Sequence, residues 1–355
     1  MSDRVLRVGV IGCGQIGQIM HLPYLKELPQ FEIAALCDIS ESLVEAVGAH
    51  YGVERRYTDH RALLEQRDID CVLNITRDHA QVSIDAAEAG KHVMSEKPIA
   101  FNLEEADAVI AAAKRNRVKL MIAYMKRYDP SYQWALPLFK SMRDLRLIRV
   151  HDYGGEFAIN DEIYDLRSAD DIPDSVVAAE RERSTASLVQ AIGADRADLA
   201  QTYNGLLHLC THDAIVLRQA FGDPVEVQFT DVWERSFVVA VMKYGDGTRC
   251  VWESGYIRGT TPWDESLTAY GADQIVQVVF PYPYLHNGET AVLVTEKESG
   301  AFVQKRVVAS YDEAFKREWR HFYECVTEDK TPITSGEEGR ADVKMLIDMV
   351  KAVRR

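Results

Sequence analysis

At 355 residues the chain is longer than one hydrophobic core usually supports, and its 47% apolar and 27% charged residues are the profile of a folded globular protein, so two domains are expected. A net charge of −14 disfavours a phosphate-backbone binder, which needs a basic face, so no nucleic-acid partner is expected. The six scattered cysteines form no C-x-x-C pair, no apolar run approaches the roughly 18 residues of a membrane span, and the first residues show no signal-peptide layout; a cytoplasmic chain without a membrane partner is the expectation.

Short β-rich runs alternate with amphipathic stretches over the first 125 residues. Strands are predicted at 8–11, 31–37, 71–75, 92–94 and 120–123, with helices near 16–28, 40–51, 79–89 and 102–116. This rhythm predicts a parallel sheet covered on both faces. After residue 125 the pattern changes: a helix at 130–142, a strand at 145–157, an irregular charged stretch at 161–203 containing a helix at 175–191, and a helix at 206–221. Gly222 and Pro224 stop that last helix. Strands follow at 225–232, 236–244, 249–257, 266–271, 275–280, 290–295 and 301–308, with Gly245-Asp-Gly247 as a hairpin turn, and helices at 312–328 and 336–353 close the chain. The division predicted is 1–125 for a nucleotide-binding α/β domain and 126–355 for an α+β domain with a largely antiparallel sheet, the last helix packing back on the first domain.

Gly12-Cys13-Gly14-Gln15-Ile16-Gly17 is G-x-G-x-x-G placed between the first strand and the first helix. Gly12 allows the tight turn, Gly14 the approach of a pyrophosphate, and Gly17 close packing of helix on strand, which is the fingerprint of a doubly wound Rossmann domain. Gln15 and Ile16 complete the loop, and the diphosphate sits at the positive helix end. Asp38 ends the next strand 21 residues after Gly17, where a carboxylate accepts from the ribose hydroxyls and repels a 2′-phosphate. NAD is therefore expected rather than NADP.

With Asn74-Ile-Thr76, His79, Ala89-Gly-Lys-His-Val93 and Ser95-Glu96-Lys97-Pro98 in these places, the chain resembles the glucose–fructose oxidoreductase / inositol dehydrogenase (Gfo/Idh/MocA) family over nearly its whole length. Met125-Lys-Arg-Tyr-Asp-Pro130 is similar to a segment of inositol dehydrogenase-like members. The resemblance implies that Asn74, Thr76, His79, Glu96 and Lys97 border the cofactor. It also implies that the open sheet of the second domain has an outer face that makes homodimers or homotetramers.

Hydride transfer from an alcohol needs a group that handles the hydroxyl proton. Lys97 is the first candidate: an ammonium beside a positive nicotinamide and partly desolvated has a lowered pKa and donates to a developing alkoxide. A plain surface lysine is the alternative. The resemblance places His212 on the family's catalytic histidine; His208, Cys210 and Ile215 then stand where the family's D-x-G-x-H-x-x-D has Asp, Gly and Asp. His208 and His212, four apart, share a helix face. They serve as general acid/base and substrate contact, or form a structural couple; a zinc site lacks the intervening Glu of H-E-x-x-H, and no metal is expected. Arg127 and Tyr128 line the cleft or join an ordinary interdomain salt bridge. Glu156, Ala158 and Asn160 alternate on one strand face, where Asn160 meets a sugar hydroxyl or merely ends the strand. The 161–203 segment is a lid or an oligomer arm.

The leading expectation is an NAD-dependent dehydrogenase acting on a secondary hydroxyl or ketone of a cyclic polyol, sugar or sugar derivative. The alternatives are a redox-assisted glycosidase that keeps its NAD and a non-catalytic NAD-binding sensor with a protein partner.

Overall fold

The computed structural model describes residues 4–155, 157, 159–257, 259 and 263–354. In chain order its elements are β1 (Leu6–Ile11), α1 (Leu22–Glu27) entered through a π-helical turn at Gly17–His21, β2 (Phe31–Cys37), α2 (Glu41–Tyr51), β3 (Arg56–Tyr57), α3 (His60–Leu64), β4 (Cys71–Asn74), α4 (His79–Glu88), β5 (His92–Ser95), α5 (Leu103–Asn116) and β6 (Leu120–Ile122). Then come α6 (Pro130–Ser141), β7 (Leu147–Gly154), α7 (Ile159–Ile163), α8 (Asp174–Ile192), α9 (Ala200–Gly205) and α10 (Thr211–Phe221), the last preceded by a π-helical turn at Leu206–Cys210. Strands β8 (Glu226–Trp233), β9 (Phe237–Lys243), β10 (Arg249–Tyr256), β11 (Asp264–Tyr270), β12 (Gln274–Phe280), β13 (Ala291–Glu298) and β14 (Ala301–Val307) lead to α11 (Ala314–Thr327) and α12 (Gly336–Lys351).

The first sheet is parallel with the order β3-β2-β1-β4-β5-β6, that of a Rossmann domain. Its strands are buried on both faces, as their unbroken apolar runs require: Leu6, Val8, Val10, Val72 and Leu73 have no exposed surface. The second sheet has eight strands in the order β14-β13-β12-β11-β7-β10-β9-β8, antiparallel except between β7 and β10. Alternate burial along β9 and β10 marks a sheet with one covered face. The hairpin between them turns at Gly247, whose φ of 92° an L side chain would resist.

The chain forms two compact units, and they are not divided at a single point. The first takes the residues up to Tyr124 together with Asp161–Ala191 and Phe315–Val343; the second takes Met125–Asn160, Ile192–Ala314 and the residues from Lys344 on. The linear division at 125/126 therefore differs from the structure in two segments. Both were drawn into the first unit by apolar side chains that periodicity alone does not assign to a partner: Leu188 of α8, and Trp319 and Phe322 of α11, are buried there. Six cysteines remain as buried thiols. Among the described residues no helix is long and apolar enough to cross a membrane.

Candidate functional site

In the first unit the Gly-rich turn leaves β1 as the motif demands. Gly12 has φ 100°, and a Cβ on it would lie 2.7 Å from the Ile75 carbonyl oxygen. Gly17 lies equally close to Ile75, whose Cδ1 would be 2.5 Å from an added Cβ. Gly14 differs: nothing stands within 4 Å of its virtual Cβ, and Gly14 and Gln15 are exposed while Ile16 is half-buried. That open backbone at the start of a helix is what a pyrophosphate needs, so the residues present fit a dinucleotide. Asp38 follows β2 and is held in place, its Oδ2 accepting from Cys13 N–H (2.7 Å) and its Oδ1 from Ser40 N–H (3.0 Å).

Asn74, Thr76 and His79 shape the loop after β4. The Asn74 amide donates to the His79 carbonyl and the Ser83 hydroxyl, both at 2.9 Å, and its oxygen accepts from the amide and hydroxyl of Thr76. His79 Nδ1 lies 2.8 Å from the Pro98 carbonyl, tying this loop to the one that carries Lys97. Asn74 is fully buried, so its own groups are spent on the loop, and Thr76 and the backbone form its outer side.

Glu96 shows a network that the sequence reading missed. The Trp319 indole donates to His21 Nδ1 (3.2 Å), so the single imidazole proton sits on Nε2 and is donated to Glu96 Oε1 (2.9 Å). Glu96 Oε2 accepts the Lys97 backbone N–H (3.0 Å). Burial pushes the Glu96 carboxyl up, but the His21 hydrogen bond and the nearby Lys97 charge outweigh it, and the group is held below the usual carboxylate range. Lys97 itself is half-buried. The first helix, the E-K-P loop and α11 thus jointly fix the backbone of Lys97. Only His21, one residue in an apolar helix, and a Trp 298 positions away carry this, and neither has a local signature.

In the second unit the π-helical turn lies where the two histidines stand. π-turns are rare and frequently sit at functional sites. His208 Nδ1 is 2.9 Å from the Asn204 carbonyl, and His208 lines a cavity of about 400 Å³ with Cys210, Arg235, Ser254 and Tyr256. His212 is half-buried on α10. His208 thus lies in the π-turn and His212 in the first turn of α10 that follows it.

The carboxylates missing at 208 and 215 return from elsewhere. Asp152 of β7, Cys210 and Asp213 place their oxygens and sulfur within 4.8 Å of one another, all buried. Burial pushes the carboxyl of Asp152 up; burial and then the charge of Asp152 push that of Asp213 well up. Lys126, also buried and lowered by desolvation against the pull of Asp213 and Asp152, forms an ion pair with Glu265 and lies 4.8 Å from the Phe280 ring centre. Arg127 is buried, and its Nε donates to the Ile215 carbonyl (2.9 Å), which ties it to α10 within the same unit. Tyr128 is buried beside it in a 3-10 turn. Asn160, expected on a strand face, lies instead on α7, because β7 ends at Gly154; it is buried, its oxygen accepting from Tyr282 OH (2.9 Å) and its Nδ2 unpaired among the described residues. Tyr282 belongs to a cluster of rings with Phe157, Trp263 and Tyr284, whose centroids lie 5.5 to 6.4 Å apart, mostly edge-on. Glu156 and Ala158, expected on the same strand face, lie outside the described residues.

Comparison with known proteins shows what this chain is similar to. Residues 6–124 match the model of the GFO_IDH_MocA oxidoreductase family, NAD-binding Rossmann fold. Myo-inositol 2-dehydrogenase of Thermotoga maritima is 26% identical over 347 residues, covering 94% of this chain and 92% of that enzyme. An uncharacterized oxidoreductase of Bacillus subtilis, YrbE, is 35% identical over 127 residues, so the chain spans about 37% of that relative's length. KijD10, a 3-ketoreductase from Actinomadura kijaniata solved with TDP-benzene and NADP, shares the fold with a TM-score of 0.75 over 99% of this chain and 98% of its own at 17% identity. Residues 6–124 thus carry the NAD-binding Rossmann unit of the Gfo/Idh/MocA oxidoreductases, and the chain as a whole is similar to a myo-inositol 2-dehydrogenase.

Proposed function

We propose that this protein is an NAD-dependent dehydrogenase that moves hydride between nicotinamide and a secondary hydroxyl or ketone of a cyclic polyol, sugar or sugar derivative. The observation that carries the reading is the open Gly14 backbone, where a diphosphate would sit, with the Asp38 carboxylate held by the Cys13 and Ser40 amides at the end of the next strand, the position of a ribose-binding carboxylate. The full-length likeness to a myo-inositol dehydrogenase supports a polyol-type substrate. So does the aromatic cluster whose Tyr282 bonds Asn160, since apolar rings with a few placed polar groups suit a hydroxylated ring.

A bound nicotinamide would supply the hydride acceptor. Lys97, whose backbone is fixed through Glu96, would hold or release the proton at the reacting oxygen. His212 and His208 would orient substrate hydroxyls, with Asp213 and Asp152 as the nearby carboxyl pair. We assign the protein to the cytoplasm as a homodimer or homotetramer, in keeping with the exposed Phe302 and Trp233 of the open sheet.

Incubation with inositols, aldoses and amino or deoxy sugars, with NAD or NADP and absorbance read at 340 nm, tests the reading. One polyol is expected to give NADH, and Lys97→Ala to lower kcat by about 10²- to 10⁴-fold with NAD affinity largely kept. Undiminished turnover in that variant would remove Lys97 from the chemistry. Glycoside hydrolysis without net NADH would replace the dehydrogenase by the redox-assisted glycosidase.

A further inference from the structure

The segment Asp161–Ala191 belongs to the nucleotide unit and runs over the carboxyl ends of its parallel strands. Gln18, after β1, is clasped by Arg167 through two bonds of 2.9 Å: its amide nitrogen donates to the Arg167 carbonyl and its oxygen accepts the Arg167 N–H. Ser40 and Ser42, after β2, are held by Asp170 and Asp171. Ser42 N–H donates to Asp171 Oδ2 (2.9 Å), the Ser42 hydroxyl to Asp170 Oδ1 (2.7 Å) and the Ser40 hydroxyl to Asp171 Oδ1. Asp78, before α4, pairs with Arg183 at 3.1 Å, and Asn102, before α5, donates to Ser187 Oγ at 2.8 Å. In open α/β sheets this edge is where the dinucleotide lies.

Ser40 and Ser42 follow Asp38, the carboxylate that faces the adenosine ribose in the NAD reading. Amide and hydroxyl donors just past that residue are the groups that a ribose 2′-phosphate would use. Here they are already taken by an anion from the same chain. We infer that Asp170 and Asp171 are specificity residues for the cofactor: they occupy the Ser40 and Ser42 hydroxyls and the Ser42 amide and add their negative charge to that of Asp38, so that a nucleotide with a free 2′-hydroxyl is accepted and a 2′-phosphate is refused. The inference rests on the NAD reading above and adds the segment that enforces it. The hydrogen bonds from Ser40 and Ser42 hold the Asp171 carboxyl down at about 2, so it stays an anion at any working pH.

The test is a fluorescence titration of the full-length wild type and of the D170N/D171N variant with NAD and with NADP. The wild type is expected to prefer NAD. The double variant is expected to gain about tenfold or more in NADP affinity, because like-charge repulsion is removed, while its NAD affinity changes by less than about threefold. If the double variant does not fold, Asp170→Asn alone keeps the Ser40–Asp171 contact and is expected to shift NADP in the same direction. A wild type that binds NADP as tightly as NAD overturns the NAD reading and this inference with it. NAD preference kept, with NADP affinity unmoved in the folded variants, overturns the inference alone.

Discussion

Glu318, on α11, has no exposed surface, and neither carboxyl oxygen has a hydrogen-bond partner among the described residues. Burial, and then the charge of Glu96, push its carboxyl well above the usual range. A raised acid is neutral in the fold and ionised in the unfolded chain at neutral pH. The folded state thus binds more protons, and stability falls as pH rises from the ordinary carboxylate value up to the folded one, by up to about 1.4 kcal/mol per pH unit. Glu318→Gln removes that proton difference. Its thermal midpoint is expected to fall less than the wild type's between pH 5 and pH 8, so that the variant gains relative stability at the alkaline end. Parallel melting curves across that interval would put the pH dependence elsewhere. At this scale the sequence was legible wherever a residue type announces itself. Lys97 and Asp38 stand in motifs, whereas Glu318, Asp152 and Lys126 look like ordinary surface charges until the fold buries them, because burial is set by partners far away in the chain. Arg127, expected to line the cleft or to join an ordinary salt bridge, shows another use of a buried charge that local sequence does not announce, since its Nε donates to a carbonyl of α10.

The elements of the nucleotide unit were legible almost residue by residue. The expected helix at 102–116 is Leu103–Asn116, started by Asn102, whose side chain accepts from Glu105 N–H, and the expected strand at 31–37 is Phe31–Cys37. What escaped was short or irregular. β3 has two residues and α3 five, too few for a period to show, and the two π-turns change the register inside stretches that read as plain helix. The turn between β1 and α1 makes the two uses of glycine separable. Gly12→Ala meets a carbonyl at 2.7 Å from a positive φ, and is expected to lower stability by about 1–3 kcal/mol. Gly14→Ala meets nothing in the free protein, so its melting temperature is expected to stay within a few degrees of wild type while NAD affinity drops about tenfold or more. Equal melting losses in both variants, with nucleotide affinity untouched at Gly14, would remove the diphosphate from this turn.

At the scale of the whole molecule the nucleotide unit is built from three separated stretches of chain, which composition and periodicity cannot join. Trp319 and Phe322 of α11 are buried without exposed surface; Trp319 packs edge-on against Phe31 of β2 at 5.1 Å and donates to His21. An isolated fragment of residues 1–125, which a linear division would take for a domain, leaves that face bare. It also lacks the indole donor that sets the His21 proton and, through Glu96, the backbone at Lys97. Losing one buried tryptophan side chain typically costs about 3–5 kcal/mol, a large share of the roughly 5–15 kcal/mol that holds a domain together. The fragment is therefore expected to melt at lower temperature and with less cooperativity than the full chain, and to bind a hydrophobic dye that the full chain excludes. Trp319→Phe in the full chain separates packing from hydrogen bonding. It is expected to keep most of the melting temperature and to weaken nucleotide binding or turnover through the freed His21. A fragment as stable and dye-silent as the intact protein would mean that the first 125 residues close their own core, and that α11 is an addition to the nucleotide unit and not part of it.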